Sequence, residues 1–169
     1  MAESKDNLLV TGHPTGTIVL EDHLFFLFTQ VIGHRDRILD VRLKPLGLSA
    51  AKWRIIGTLA PRSMLAMGEL AEMTTIDRTT LTRALDQLEA AGAAIRVNDP
   101  DDKRIVRVAL TKRGMNLFAE ANPLVEEINR AVTQDMTSEE ADVTRAVLKR
   151  VRARTLELAA SRNPRRKRD

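Results

Sequence analysis

Apolar residues recur at helical spacing through most of this chain, but the period changes between Ile95 and Leu110. Ile95-Arg96-Val97 and Ile105-Val106-Arg107-Val108-Ala109-Leu110 alternate or run β-branched, as strands do. Between them, Asn98-Asp99-Pro100-Asp101-Asp102 is a set of turn formers. These residues predict a β-hairpin with a charged tip, set among helices. What precedes it narrows the fold further. Ser49 is placed to cap a short helix through Leu59 that carries Trp53, Ile55, Ile56 and Leu59 and stops at Pro61. Gly68 to Met73 reads as one or two helical turns. Asp77 is placed to cap a helix running to Ala91, with Leu81, Leu85 and Leu88 on one face and Gly92 as its stop. Short helix, tight turn, amphipathic helix and hairpin, in that order, make a winged helix-turn-helix.

Apolar-striped helices flank this module. Glu21 to about Leu43 carries Leu24, Phe28, Val31, Ile32, Ile38, Leu39 and Leu43 before Pro45 and Gly47 break it. Thr111 caps a helix to about Gln134, expected to bend near Pro123. Thr137 and Glu140 form a capping box that opens a last helix to about Ala160. Its stripe is Val143, Val147, Val151 and Leu158, with Leu148 beside it. These helices are too long and too apolar to serve only as cover for a small module, so they predict a dimerisation region built from both ends of the chain. The expected fold class is mostly α. A winged helix-turn-helix at about 48–112 lies between N- and C-terminal dimerisation helices at about 21–44 and 112–160, with an N-terminal extension over 1–20 and a basic tail over 161–169.

Composition excludes several classes. With 169 residues, 43% of them hydrophobic and 30% charged, the chain has the make-up of one soluble globular domain. Its longest apolar runs, such as Leu24 to Phe28, fall far short of a membrane span, and residues 1–20 contain no apolar segment of a signal peptide, so a cytoplasmic location is expected. The absence of cysteine removes disulfides, thiolate metal sites, cysteine nucleophiles and thiol redox sensing together. A net charge of +4 leans toward a polyanionic partner, although Arg162, Arg165, Arg166, Lys167 and Arg168 read first as a solvated end. There is no Gly-x-Ser-x-Gly, no glycine-rich phosphate loop and no His-Glu-x-x-His, so neither an enzyme nor a cofactor is expected. Metal sensing would need His13, His23 and His34. His23 and His34, eleven residues apart on one helical face, are separated by about 16 Å of helix and cannot share an ion within one chain.

Residues 65–114 carry a more specific pattern. Gly68-Glu69-Leu70-Ala71, Ile76-Asp77-Arg78-Thr79-Thr80-Leu81-Thr82-Arg83 and Leu88-Glu89-Ala90-Ala91-Gly92 are followed by Asp99-Pro100-Asp101-Asp102-Lys103-Arg104 and Leu110-Thr111-Lys112-Arg113-Gly114. At this spacing the segment resembles the MarR family of bacterial and archaeal regulators. Pro45-Leu46-Gly47-Leu48 followed by Trp53 resembles the family's link into its second helix, and the resemblance covers roughly residues 22–160. Ala93 and Ala94 depart from it by standing where the family has bulky aliphatics, and Ile95 by standing where a polar residue is common. These changes are expected to loosen the root of the wing while leaving its charged tip intact.

The helix from Asp77 should be the recognition helix, with Arg78, Thr79, Thr80, Thr82 and Arg83 facing a major groove. Threonine is a mediocre helix former, so three within four residues require a reason. A threonine can bond a base edge or set its methyl against thymine, and an arginine can grip guanine bidentately. At the hairpin tip, Arg104 is placed to enter a narrow minor groove. The resemblance assigns Asp102 the task of orienting it, with Lys103 and Arg96 as phosphate contacts. The resemblance further implies a sequence-specific transcription regulator that acts as a homodimer on a pseudo-palindromic operator in double-stranded DNA. It implies a repressor released by a small anionic aromatic effector held near Phe25, Phe28, His34 and Trp53. Phe25, Phe28 and Trp53 also read as core packing, and His34 as a helix histidine bonded to a carbonyl. The alternatives are a winged-helix interaction module and a metal-responsive regulator without an aromatic ligand.

Overall fold

The computed structural model describes residues 20–162; the expected N-terminal extension before Leu20 and the basic tail after Arg162 lie outside the described residues. A 3-10 turn at Leu20–Asp22 leads into α1 (Leu24–Leu43), and a second at Lys44–Leu46 leads toward α2 (Ala50–Leu59). Then follow β1 (Leu65–Ala66), α3 (Met67–Thr74), α4 (Arg78–Ala90), β2 (Ala94–Asn98), β3 (Val106–Leu110), α5 (Lys112–Val132) and α6 (Ser138–Arg162).

The helices start where the sequence supplies an acceptor for an otherwise unpaired amide. Ser49 Oγ accepts from Lys52 N at 3.3 Å, and Asp77 Oδ1 accepts from Thr80 N at 2.9 Å. At the head of α5, Thr111 Oγ1 accepts from Gly114 N at 3.1 Å. Thr137 and Glu140 form the reciprocal box: Glu140 N donates to Thr137 Oγ1 at 3.2 Å, and Thr137 N to Glu140 Oε2 at 2.8 Å. Gly47, at φ 70°, reverses the chain after α1, and Gly92, at φ 68°, does so after α4.

The chain divides into two compact units, Met1–Val125 and Glu126–Asp169. In the first, Leu39 and Leu43 of α1, Ile55, Ile56 and Leu59 of α2, Leu70 of α3, Leu81, Leu85 and Leu88 of α4, Val108 of β3 and Val125 of α5 are almost wholly buried. Each such side chain contributes roughly 1.5–3 kcal/mol on leaving water. Asp40 fastens α1 to the head of α2, accepting from Ala50 N at 2.7 Å. The sheet is antiparallel in the order β1-β3-β2, with Arg96 opposite Val108 and Val97 opposite Arg107. Its third strand, β1, pairs Leu65 with Val108 and Ala66 with Arg107. Two residues are too few to show a period in sequence. The second unit holds the end of α5 and α6.

The expected loosening at the wing root is not found. Ala93 and Ala94 are buried, Ala93 N donates to Leu88 O at 2.8 Å, and Thr111 N donates to Ala93 O at 3.0 Å. The close approach is at Gly114, at the head of α5, where an added Cβ would lie 2.1 Å from Ala93 O.

The turn between α3 and α4 holds Thr75 in the left-handed region, at φ 54° and ψ 22°. It is the one non-glycine residue with positive φ among the described residues. A β-branched side chain there is strained by roughly 1–2 kcal/mol, against the 0.5–1 kcal/mol that a glycine costs in chain entropy. Thr75→Gly should therefore raise stability by roughly 0.5–1 kcal/mol, read as a higher urea midpoint with unchanged slope.

Candidate nucleic-acid interface

Burial splits α4 cleanly. Leu81, Ala84, Leu85 and Leu88 face the core, while Arg78, Thr79, Thr80, Thr82 and Arg83 are exposed. Arg78, Thr79, Thr82, Arg83 and Asp86 line one open groove of about 450 Å³ along the helix. A smaller hollow of about 230 Å³, between α3 and α4, is lined by Met67, Gly68, Ala71, Arg78, Leu81 and Thr82. Thr80 differs from its neighbours. Its hydroxyl and amide both bond Asp77 and hold that carboxyl below its ordinary range, so Thr80 serves the cap.

The wing tip is built on two carboxylates. Asp99 is buried, accepts from Asp101 N at 2.9 Å and Asp102 N at 3.1 Å, and pairs with Arg107. The neighbouring Asp102 grips Arg104. Arg104 Nε lies 3.0 Å from Oδ1 and Nη2 lies 2.8 Å from Oδ2, and Arg104 N donates to Oδ1 at 3.0 Å. The guanidinium is thus held by a two-pronged pair while its side chain stays 90% exposed. Asp102 is lowered by Arg104, whose own pKa it raises. Lys103 stands exposed beside them. Arg96 is placed differently: it lies at the wing root, paired with Asp86 and Glu89. The roles of Asp99 and Arg107 were missed in sequence because the turn-forming character of the Asp99 segment already accounted for its composition.

Asp99 gives the wing a pH signature. Arg107 first, then the Asp101 amide, lower its pKa from the ordinary 3.8. A carboxylate whose pKa is depressed by folding contributes stability that is complete above the unfolded value and is lost as pH falls through the folded one. Melting temperature should therefore fall as pH drops below 3.8, and Asp99→Asn should flatten that acid limb while lowering stability at neutral pH.

The four residues expected near an effector do not form one cluster within the protomer. Phe25 and Phe28 meet edge to face at 6.0 Å near the start of α1. Trp53, on α2, stacks on Phe118 of α5 with ring centroids 5.5 Å apart and planes 1° from parallel. Asp36, which bonds Arg54 at 2.6 Å, marks where α1 passes this part of α2, and Phe25 lies eleven residues before it, about 16 Å along the helix. His34 is exposed on α1. Phe25, which also read as core packing, is 56% exposed among the described residues. Among the described residues, no group of three metal-ligating side chains is assembled, and no helix is long and apolar enough to cross a membrane.

Helices α2, α3 and α4 with the paired strands are a winged helix-turn-helix, and the exposed Thr–Arg face and arginine-tipped wing are its two outward elements. A family profile described as MarR family matches residues 46–105. The chain is 30% identical over 118 residues to the multiple antibiotic resistance protein MarR of Escherichia coli strain K12, spanning 69% of this chain and 82% of that protein. It is 31% identical over 97 residues to the homoprotocatechuate degradative operon repressor of Escherichia coli, spanning 57% and 66%. The structure of a cysteine-to-serine mutant of MarR from E. coli complexed with operator DNA aligns with a TM-score of 0.67 at 30% identity, covering 76% of this chain and 92% of that one. NadR in complex with 4-hydroxyphenylacetate aligns with a TM-score of 0.68 at 26% identity, covering 76% and 92%. The chain belongs to the MarR family of winged-helix transcription regulators.

Proposed function

We propose that this regulator is a homodimeric repressor that binds a pseudo-palindromic operator and is released from it by a small anionic aromatic molecule. The observation that carries the DNA reading is the two-pronged Asp102–Arg104 pair. It aims a fully charged, 90% exposed guanidinium outward from the wing on the same module as the Thr79–Thr82–Arg83 face of α4. In this reading α4 enters the major groove, where Thr79, Thr82, Arg83 and Arg78 meet base edges and phosphates. Arg104 enters the adjacent minor groove, with Lys103 on the backbone. Operator DNA in the structure of the E. coli relative supports this reading.

The dimer follows from uncovered apolar surface. Leu24, Phe25, Leu27, Val31 and Val41 of α1 are each 45% exposed or more, and Val143 and Leu158 of α6 are 57% and 51% exposed. An isolated module reads only a half-site, whereas a two-fold pair reads two, about 34–36 Å apart. Repression is supported by the name of the homoprotocatechuate relative, and an aromatic acid by the 4-hydroxyphenylacetate bound to NadR. Release requires that the ligand bind better to a dimer whose recognition helices no longer match the groove spacing.

Binding isotherms at two salt concentrations, on the gene's own promoter region and on a scrambled fragment, test the reading, with light scattering alongside. Preference for the promoter and a dimeric mass are expected. Binding to neither fragment would make the chain an interaction module on a winged-helix fold, and equal binding to both would leave only non-specific attraction to phosphates. Phenolic acids screened by Trp53 fluorescence and by loss of DNA retention test the effector, and silence across a broad panel would refute it.

A further inference from the structure

A helix that lies against phosphates is penalised for unpaired carboxylates, yet α4 carries an exposed Asp86 and a half-buried Glu89. Asp86 also borders the groove of Arg78, Thr79, Thr82 and Arg83. One wing residue answers both. Arg96, on β2, places Nη1 at 2.7 Å from Asp86 Oδ1 and against Glu89 Oε2, while Nη2 donates to Thr82 O at 3.2 Å. Its amide donates to Glu89 Oε1 at 2.8 Å. A single residue of the wing is thus tied to three positions spaced over two turns of the recognition helix. Its side chain is only 23% exposed, against 90% for Arg104.

We infer that Arg96 is a positioning residue that fixes the wing against the recognition helix and neutralises Asp86 and Glu89, and that it is not a phosphate ligand. The inference rests on the DNA reading above. The physical reason is donor geometry. The guanidinium fork serves two carboxylates and a carbonyl together, and turning it to a phosphate would take its positive charge from both carboxylates beside a polyanion. Lysine, a point charge on a flexible stem, cannot hold three acceptors in that plane. Because both elements must meet their grooves at once, fixing their mutual angle in the free protein removes an ordering cost from binding.

The test uses the full chain with Arg96→Ala, Arg96→Lys and Arg96→Ala combined with Asp86→Asn and Glu89→Gln. Hydrogen exchange without DNA reads the clamp directly. Arg96→Ala should speed exchange across β2, β3 and the intervening tip, while the α2 amides keep their protection. On operator DNA, Arg96→Ala should weaken binding about tenfold with the salt slope unchanged, because no phosphate contact is lost. Arg96→Lys should fall between wild type and Arg96→Ala. Removing the two carboxylates in the Arg96→Ala background should restore part of the affinity. Unchanged wing exchange would overturn the inference. So would a salt slope reduced by about 0.9 for each Arg96 lost, or Arg96→Lys binding as wild type does. If no form binds DNA, the DNA reading fails, and the exchange measurement still decides whether the clamp exists.

Discussion

Arg104→Ala is expected to weaken operator binding at least about tenfold, since a dimer loses one wing contact at each end of the site. The loss should be largest on operators with A·T-rich flanks, where the narrow minor groove has the most negative potential, and smallest where the flanks are G·C-rich. The melting temperature should not move, because the side chain is 90% exposed and among the described residues bonds Asp102, two residues away. Asp102→Ala should reproduce part of the defect. It removes the partner that orients the guanidinium but leaves the charge free to reach the groove. Isotherms for both variants on matched operators with exchanged flanks check this, with thermal melts alongside. Wild-type affinity of Arg104→Ala on every operator would reduce the Asp102–Arg104 pair to a surface salt bridge of the kind that contributes little.

The second large effect is on folding. Gly114→Ala should destabilise the chain by about 3 kcal/mol. A Cβ at Gly114 would lie 2.1 Å from Ala93 O and 3.1 Å from Ala93 C, which are backbone atoms that cannot turn aside. The same few residues hold the end of α4, the root of the wing and the head of α5 together. Ala93 O accepts from Thr111 N at 3.0 Å, and Gly92 O accepts from the Thr111 hydroxyl at 2.6 Å. Relief of the clash would require α5 to back away and break these bonds. Chemical denaturation should show a lower midpoint with little change of slope, and a variant as stable as the parent would mean that α5 is not seated on this turn.

The elements with a strong period or a cap were legible in the sequence. Asp77, Ser49 and the Thr137–Glu140 box each mark a helix start because the signal is local: an acceptor side chain two or three residues ahead of a free amide. The strands around Asn98–Asp102 were legible for the same reason, as their alternation and turn residues are contiguous. What escaped depends on residues far apart in the chain. Nothing near Arg96 announces that its partners are Asp86 and Glu89 on the preceding helix, and an arginine on a wing reads by default as a phosphate contact. Trp53 meeting Phe118 joins the first helix of the winged module to the helix that follows its wing. Phe25 also read as core because its neighbours on α1 are apolar, yet it is 56% exposed among the described residues, and an apolar run does not show what covers it.

The central claim is that two copies of this chain read one operator through α4 and the wing. Footprinting of the purified protein on its own promoter region tests it most directly. Two protected half-sites related by a dyad are expected, centred about 34–36 Å apart, with protection extending into the flanking minor grooves and lost from those flanks in Arg104→Ala. Uniform protection without a dyad, or a footprint whose flanks survive that substitution, would contradict it.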